Sequence, residues 1–348
     1  MSELLSRFDD WISDGGPSAL VMKEYLEPAA GPGDVIFPPT FAPPEDNRDI
    51  GAGYIIDRDG ESSTCLLDSV GSQANRLEPL FKTAKYHHLV PQFEILVNER
   101  KVNLLDAGHR AADALVRSTE LATELETAFN ECAAGDATRL ARIAPTSLVF
   151  GAWDSRGSQV KVPRLIDSTV RASGVREIKR AAQYFSMLEK EEVEELLEVD
   201  TQKQRKPLSK AGFLDAPSGR THGGVIVSGE IVRTTIVNLT ALRALGAGSN
   251  DPAPLRRYIL GLTLIAALAP VDFFLRQGCL LVRDLKKAPT SVIVYRDGNR
   301  RPAPIDNVEP FAIATADAFG VGPGREVQFD PKTAKDLLKK ASKAKEES

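Results

Sequence analysis

SALVMKEYLEP, near residue 18, runs four apolar positions together and then mixes polar and apolar ones, and it reads as a first strand. The stretch that follows, AAGPGDVIFPPTFAPPEDN, is too rich in Pro and Gly for regular structure and predicts a long loop. GYIIDRDGESSTCLLDS then reads as a hairpin, because Asp59-Gly60 supplies a tight-turn pair between two apolar, partly β-branched runs. A helix should follow, capped by Asp68 or Ser69, with Val70, Ala74, Leu77 and Phe81 recurring along one stripe. From Asp106 to about Cys132 the pattern is again helical, with Leu121, Leu125, Ala128 and Phe129 on the core face. TSLVF reads as a buried strand, and VPRLIDSTVRA as a helix whose first turn holds Pro163.

Farther on, an acidic helix gives way to the basic, Pro/Gly-punctuated KQRKPLSKAGFLDAPSGRTHGG, which looks like an exposed excursion. GGVIVSGEIVRTTIVN resumes strand character, and Asn238 is placed to cap the helix LTALRAL, which ends at Gly246. ILGLTLIAALAPVDFFL is cut by Pro270 and Asp272, so it reads as a core helix rather than a spanning one. SVIVYRDGN and REVQFD supply later strands, and the Lys-rich tail PKTAKDLLKKASKAKEES is expected to be a frayed helix or disordered. Helices and strands are interspersed rather than strictly alternating, which suggests an α+β sheet with helices on one face and long insertions.

Composition changes this picture little. With 348 residues, 42% hydrophobic and 26% charged, the chain is an ordinary globular protein of one elaborated domain or two smaller ones. Cys65, Cys132 and Cys279 are too few and too scattered for a disulfide framework or a zinc site, which fits a reducing cytoplasm. The start, MSELLSRFDDWISDGG, lacks the cationic and apolar segments of a secretory signal.

Charge is more informative in its distribution than in its sum of −4. Between residues 151 and 180, Arg156, Lys161, Arg164, Arg171, Arg176, Lys179 and Arg180 face only Asp154, Asp167 and Glu177. If the segment after Pro163 is helical, Arg164, Ser168 and Arg171 share one side, fed by Lys161 and Arg156 in the preceding loop. On the helix after Asp68, the residues Ser69, Gln73 and Arg76 form a polar stripe. Strand alternation in IVRTTIVN sets Arg233 and Thr235 opposite Val232 and Thr234. Such residue types contact phosphate and ribose, so these positions together make a candidate RNA track. The plainer readings are a solvated helix face and arginines paired with nearby carboxylates. His87, His88, His109 and His222 have no metal-site spacing, there is no Walker loop or Gly-x-Ser-x-Gly elbow, and the glycines at 320, 322 and 324 read as a phosphate-approaching loop or a plain turn.

Four stretches in order, LLDSVGSQANRLEPLF, PTSLVFGAWDSRGSQVKVPRLIDSTVRA, GGVIVSGEIVRTTIVNLTALRAL and LRRYILGLTLIAALAPVDFFLRQGCLLV, resemble the Csb-one family, the Cas-seven-type backbone subunit of type I-U (I-G) CRISPR effector complexes in the RAMP superfamily. The resemblance runs from about Leu20 to Val282. It implies a modified ferredoxin-like, RNA-recognition-type core of βαββαβ order with thumb and finger insertions, in one domain over 1–330, with a thumb at about 189–223 and the tail from 331 to 348 outside it. It also implies a non-catalytic subunit that repeats along the crRNA spacer as a filament within a Cascade-type ribonucleoprotein for antiviral defence. Its partners would be crRNA, target DNA paired through the guide, further copies of itself and other effector subunits, with no membrane, cofactor or metal. Carried over to this sequence, the RNA-binding candidates are Ser72, Gln73, Asn75, Arg76, Trp153, Lys161, Arg164, Arg171, Arg233, Thr234 and Asn238. The alternative within the superfamily is a ribonuclease that processes guide RNA with a histidine as acid or base, tested through His222→Ala. The chain has no Arg-Gly-Phe-Gly-Phe run and only 6% aromatics, so phosphate and ribose gripping is expected rather than stacking on a sheet.

Overall fold

The computed structural model describes residues 2–42 and 53–346, so positions 43–47 of the Pro-rich loop lie outside the described residues. In chain order its main elements are strand β1 (Ala19–Pro28), hairpin β2 (Ile56–Asp59) and β3 (Ser62–Asp68), and helices α1 (Val70–Leu77), α2 (Leu121–Ala133) and α3 (Pro145–Phe150). A small hairpin, β4 (Ala152–Trp153) and β5 (Lys161–Val162), leads into β6 (Ile166–Ser173) and the ribbon β7 (Val175–Tyr184) and β8 (Ala216–Val227), which carries α4 (Lys190–Leu197) and α5 (Arg205–Ala211) between its strands. Then come β9 (Ile231–Asn238), α6 (Leu239–Arg243), α7 (Ala253–Leu268), hairpin β10 (Phe273–Arg276) and β11 (Cys279–Arg283), β12 (Thr290–Val294), α8 (Val308–Phe319) and the tail helix α9 (Pro331–Glu346).

The main sheet runs β10-β11-β1-β9-β6-β3-β2, with β12 beside β1 on the edge it shares with β11, and each of these pairings is antiparallel. Register places Leu20 opposite Val237 and Val237 opposite Ile166, and these three buried side chains meet the helices in one large core with Ala74, Leu77, Tyr258 and Leu262. At the other end of the same face, Leu26, Ile231, Ala172 and Cys65 pack with Val225, Phe273 and Leu281 in a second core. The opposite face, bearing Lys23, Tyr25, Val232, Thr234, Ile236 and Arg171, stays half-buried or exposed. The helices are therefore on one side of an α+β sheet.

Local chemistry explains the elements. The β2–β3 turn uses Gly60 at φ 55°, a backbone state that glycine enters without a Cβ clash. Ser69 caps α1 by accepting the Ser72 N–H at 3.3 Å, and Asn238 caps α6 by accepting the Ala241 N–H at 2.9 Å. Leu121, Leu125, Ala128 and Phe129 are all buried on α2, and α7 is buried along most of its length. No helix among the described residues is long and apolar enough to cross a membrane.

Three sequence-based expectations are corrected. TSLVF lies in the short helix α3 rather than a strand, since Pro145 at its start sets a helical φ without needing a donor. VPRLIDSTVRA is strand β6 from Ile166, because Ile166, Ser168, Val170 and Ala172 alternate into the interior with the period of a strand. Arg171 consequently points away from Ser168, and the supposed cationic helix face does not exist. The basic excursion also ends sooner than its composition implies: residues from Ala216 onward pair with β7, and Val193, Leu208 and Leu214 form a small core of their own between α4 and α5.

Candidate nucleic-acid interface

The polar stripe of α1 points inward. Gln73 is fully buried; its Nε2 donates to Asp68 Oδ2 at 2.7 Å, and its Oε1 accepts from Ser168 Oγ at 3.0 Å and from Arg233 Nε at 3.1 Å. Ser168 also meets Thr235 Oγ1 at 2.9 Å, and Arg233 reaches Glu24 Oε2 at 3.4 Å. Arg76 donates to Asp68 at 3.0 Å and to the backbone oxygens of Phe274 and Leu275 at 3.0 and 2.8 Å. These groups bind α1, β6, β9 and β10 together across an otherwise apolar sheet face, with Arg233 Nη2 left buried without a hydrogen-bond partner. Burial lowers the proton affinity of Arg233, and Glu24 partly restores it.

Gln73 and Arg233 therefore do not reach a surface ligand in this structure, and Arg76 has its guanidinium committed to scaffold contacts. Asn238 is exposed, with its side-chain oxygen occupied as a cap. Ser72 is half-buried in the first turn of α1, Thr234 is half-buried on the open sheet face, and Arg171 lies on that face 3.8 Å from Asp57 Oδ2.

The remaining candidates converge. Asn75, Trp153, Lys161 and Arg164 line a single cleft of about 780 Å³, together with His109, Arg110 and the backbone of Gly71 and Gly151. Trp153 and Lys161 are directly opposed on the β4–β5 hairpin, and Lys161 Nζ sits 4.3 Å from the indole centroid. Trp153 is 55% exposed. Among the described residues neither Lys161 nor Arg164 has a carboxylate within ion-pair distance.

The hairpin is held from behind. Asp154 is buried and accepts the backbone N–H and the hydroxyl of Ser158 at 2.7 and 2.9 Å, while Arg117 Nε stands 3.6 Å away. Gly157 passes so close to the Asp154 carboxylate that a Cβ would collide with it. At the cleft's inner wall Gly151 takes φ 79° and ψ 152°, a conformation essentially confined to glycine, and a Cβ there would lie 2.6 Å from Arg164 Cγ.

Sequence reasoning missed Arg110. It lies at φ 53°, is 6% exposed, and pairs through Nε with Glu78 Oε2 at 2.7 Å; its Nη1 donates to Gly151 O at 3.3 Å. Its Nη2 is buried without a hydrogen-bond partner, as is Glu78 Oε1. Burial pushes the Glu78 carboxyl up to about 7 against the opposing pull of Arg110, and burial lowers Arg110 in turn. No local pattern around GHRAA signals this pair, because it forms between segments far apart in sequence.

Comparison with known proteins adds a family match over part of the chain. Residues 20–177 match the family described as CRISPR-associated protein GSU0053. The matched span includes the SQANR helix and the whole cleft hairpin, and it bears out the Cas-seven-type, CRISPR-associated resemblance read from the motifs. A solved structure titled "CRISPR RNA-guided surveillance complex, pre-nicking" is similar at 14% identity and a TM-score of 0.35, covering 94% of this chain and 88% of that chain. Comparison with curated proteins returns no match. Among the described residues no group of three or more His, Cys, Asp or Glu is placed to hold a metal ion.

Proposed function

We propose that this chain is a non-catalytic, guide-RNA-binding backbone subunit of a Cascade-type CRISPR complex, and that the Trp153–Lys161–Arg164 cleft is where it holds the strand. The observation that carries this reading is the pairing of two cations lacking carboxylate partners with an exposed indole in one concave site, within the span shared with a CRISPR-associated family. A polyanion supplies the counter-charge that the protein withholds there, and its bases offer a ring to the indole.

The topology supports the same reading. Strands β1, β6, β9 and β12 in the order β12-β1-β9-β6, with α1 falling between β1 and β6 in sequence and α7 between β9 and β12, follow the βαββαβ order of a ferredoxin-like core. The β7–β8 ribbon with its small helical tip then serves as the thumb, and several copies repeat along the crRNA spacer, leaving intervening bases to pair with target DNA in the company of other type I-U (I-G) subunits. Of the four histidines only His109 lines the cleft, so the competing ribonuclease reading falls on His109 rather than His222. A gel-shift assay with guide RNA and partner subunits tests the proposal: a retained complex with intact RNA is expected. Absence of binding at low salt, or cleavage that is lost in His109→Ala, contradicts it.

A further inference from the structure

Resting on that reading, we infer that the cleft is a single-nucleotide subsite, in which one base of the strand stacks on the ring face of Trp153 that Lys161 leaves free while its phosphate lies against Arg164 and Arg110.

The chain has two tryptophans, and their environments differ sharply. Trp11 is 4% exposed and packs on Phe8 with ring centroids 4.7 Å apart, whereas Trp153 keeps 55% of its surface in solvent. An indole of this size gains about 25 cal/mol for each Å² it buries, so one held in the open at a cleft wall retains an unspent driving force for a flat apolar partner. Lys161 covers one ring face from the facing strand. A nucleobase fits the other, since every base presents a π-face and stacking on an aromatic side chain is worth about 1–3 kcal/mol.

The ring is also held ready. Trp153 precedes Asp154, whose carboxylate, buried against Ser158 and Arg117, folds the loop back on itself; Asp154 N–H donates to Val160 O at 3.0 Å, and Arg117 donates to Arg156 O at 2.8 Å. Little ordering remains to be done when a ligand arrives.

The phosphate half of the subsite has its own signature. Arg110 lines the cleft, is more than nine-tenths buried, and leaves Nη2 without a partner. Arg164 is near enough for its charge to disfavour the charged form of Arg110. Two guanidinium groups lining one cleft, with Glu78 the single carboxylate paired to them among the described residues, call for an anion, and the planar fork of arginine matches phosphate oxygens.

The test uses the full-length chain, a fluorescein-labelled oligoadenylate, and an abasic ribose-phosphate strand of the same length. Anisotropy reports binding, and tryptophan emission reports stacking, with buried Trp11 as the silent background. Wild type should bind both strands, bind oligoadenylate roughly 5- to 150-fold more tightly, and lose indole emission only with oligoadenylate. Trp153→Ala should bind both strands equally, at the abasic affinity, while Trp153→Phe retains most of the preference. Equal binding of both strands by wild type with no loss of emission overturns the stacking subsite while leaving RNA binding standing. Binding of neither strand overturns both, as does binding of poly-glutamate as tight as that of oligoadenylate, which would mark the cleft as a site for acidic protein. A Trp153→Ala chain that loses affinity for both strands in parallel with its melting temperature would make the indole structural and overturn the inference.

Discussion

Arg233 Nε and Gln73 Oε1 meet at 3.1 Å across the interface between β9 and α1, with neither residue open to solvent. Two positions that the sequence presents as RNA contacts are thus neighbours inside the fold. The sheet face they occupy is polar at its middle because Glu24, Arg233, Thr235 and Ser168 succeed one another across β1, β9 and β6. A polar stripe on α1 is what such a face needs, and Gln73 and Arg76 provide it.

Arg76 and Arg233 should therefore behave as scaffold. Arg233→Ala leaves Glu24 short of its buried partner and is expected to cost about 3 kcal/mol, while Arg76→Ala removes three charge-assisted hydrogen bonds and should cost about 2 kcal/mol. Urea unfolding measures both. The fraction that remains folded should bind guide RNA with wild-type affinity.

Lys161→Glu and Arg164→Glu should show the reverse pattern. Both side chains are exposed, so stability should stay within about 0.5 kcal/mol of wild type. Guide-RNA affinity should fall, and the slope of log affinity against log salt should become shallower by roughly 0.7 for each phosphate that is no longer neutralised. Filter binding across a salt series gives the slope directly.

Gly151→Ala links fold and site. Its φ of 79° and ψ of 152° exclude a side chain, and the new Cβ would press on Arg164 Cγ. A loss of about 1–3 kcal/mol is expected, together with weaker RNA binding from a displaced Arg164. Thermal melts and a gel shift on the same sample check the pair.

The Glu78 carboxyl gives stability a definite pH dependence. Folding raises it to about 7, chiefly through burial, from an unfolded value of about 4.3. Between these values the folded chain holds a proton that the unfolded chain has released, so this contribution is complete below about 4 and is lost as pH rises through about 7. The charged groups facing Glu78 are Arg110, which opposes the shift, and Asp106, which adds to it. Relative to Glu78→Gln, wild type should lose stability steadily between about pH 4 and pH 7 and level off above that, as read by urea midpoints at each pH. A constant difference over that range contradicts the assignment.

What could be read from the chain alone follows from the range of the forces involved. The β2–β3 hairpin, the caps at Ser69 and Asn238, the α2 core face and the buried α7 are set by residues a few positions apart, and all appear where local patterning puts them. TSLVF is too short for period to separate helix from strand. In VPRLIDSTVRA the preference of Pro163 for a helix's first turn competes with the plain alternation of Ile166, Ser168, Val170 and Ala172, and the alternation wins because it matches a sheet already offering β3 and β9 as neighbours. A stripe's periodicity also cannot say which side of it is wet: on α1 the polar side faces a polar interior. The cleft was legible in part, because Trp153, Lys161 and Arg164 belong to one continuous motif, whereas Arg110 and Glu78 enter only through tertiary contact.

The most direct measurement of where the guide lies is photo-cross-linking of the assembled complex with 4-thiouridine-substituted guide RNA, followed by mass spectrometry of the linked peptides. Links concentrated on the peptide bearing Trp153, Lys161 and Arg164 are the expected result. Efficient links confined to other surfaces, such as the open sheet face around Lys23 and Thr234, with none in the cleft, would contradict it.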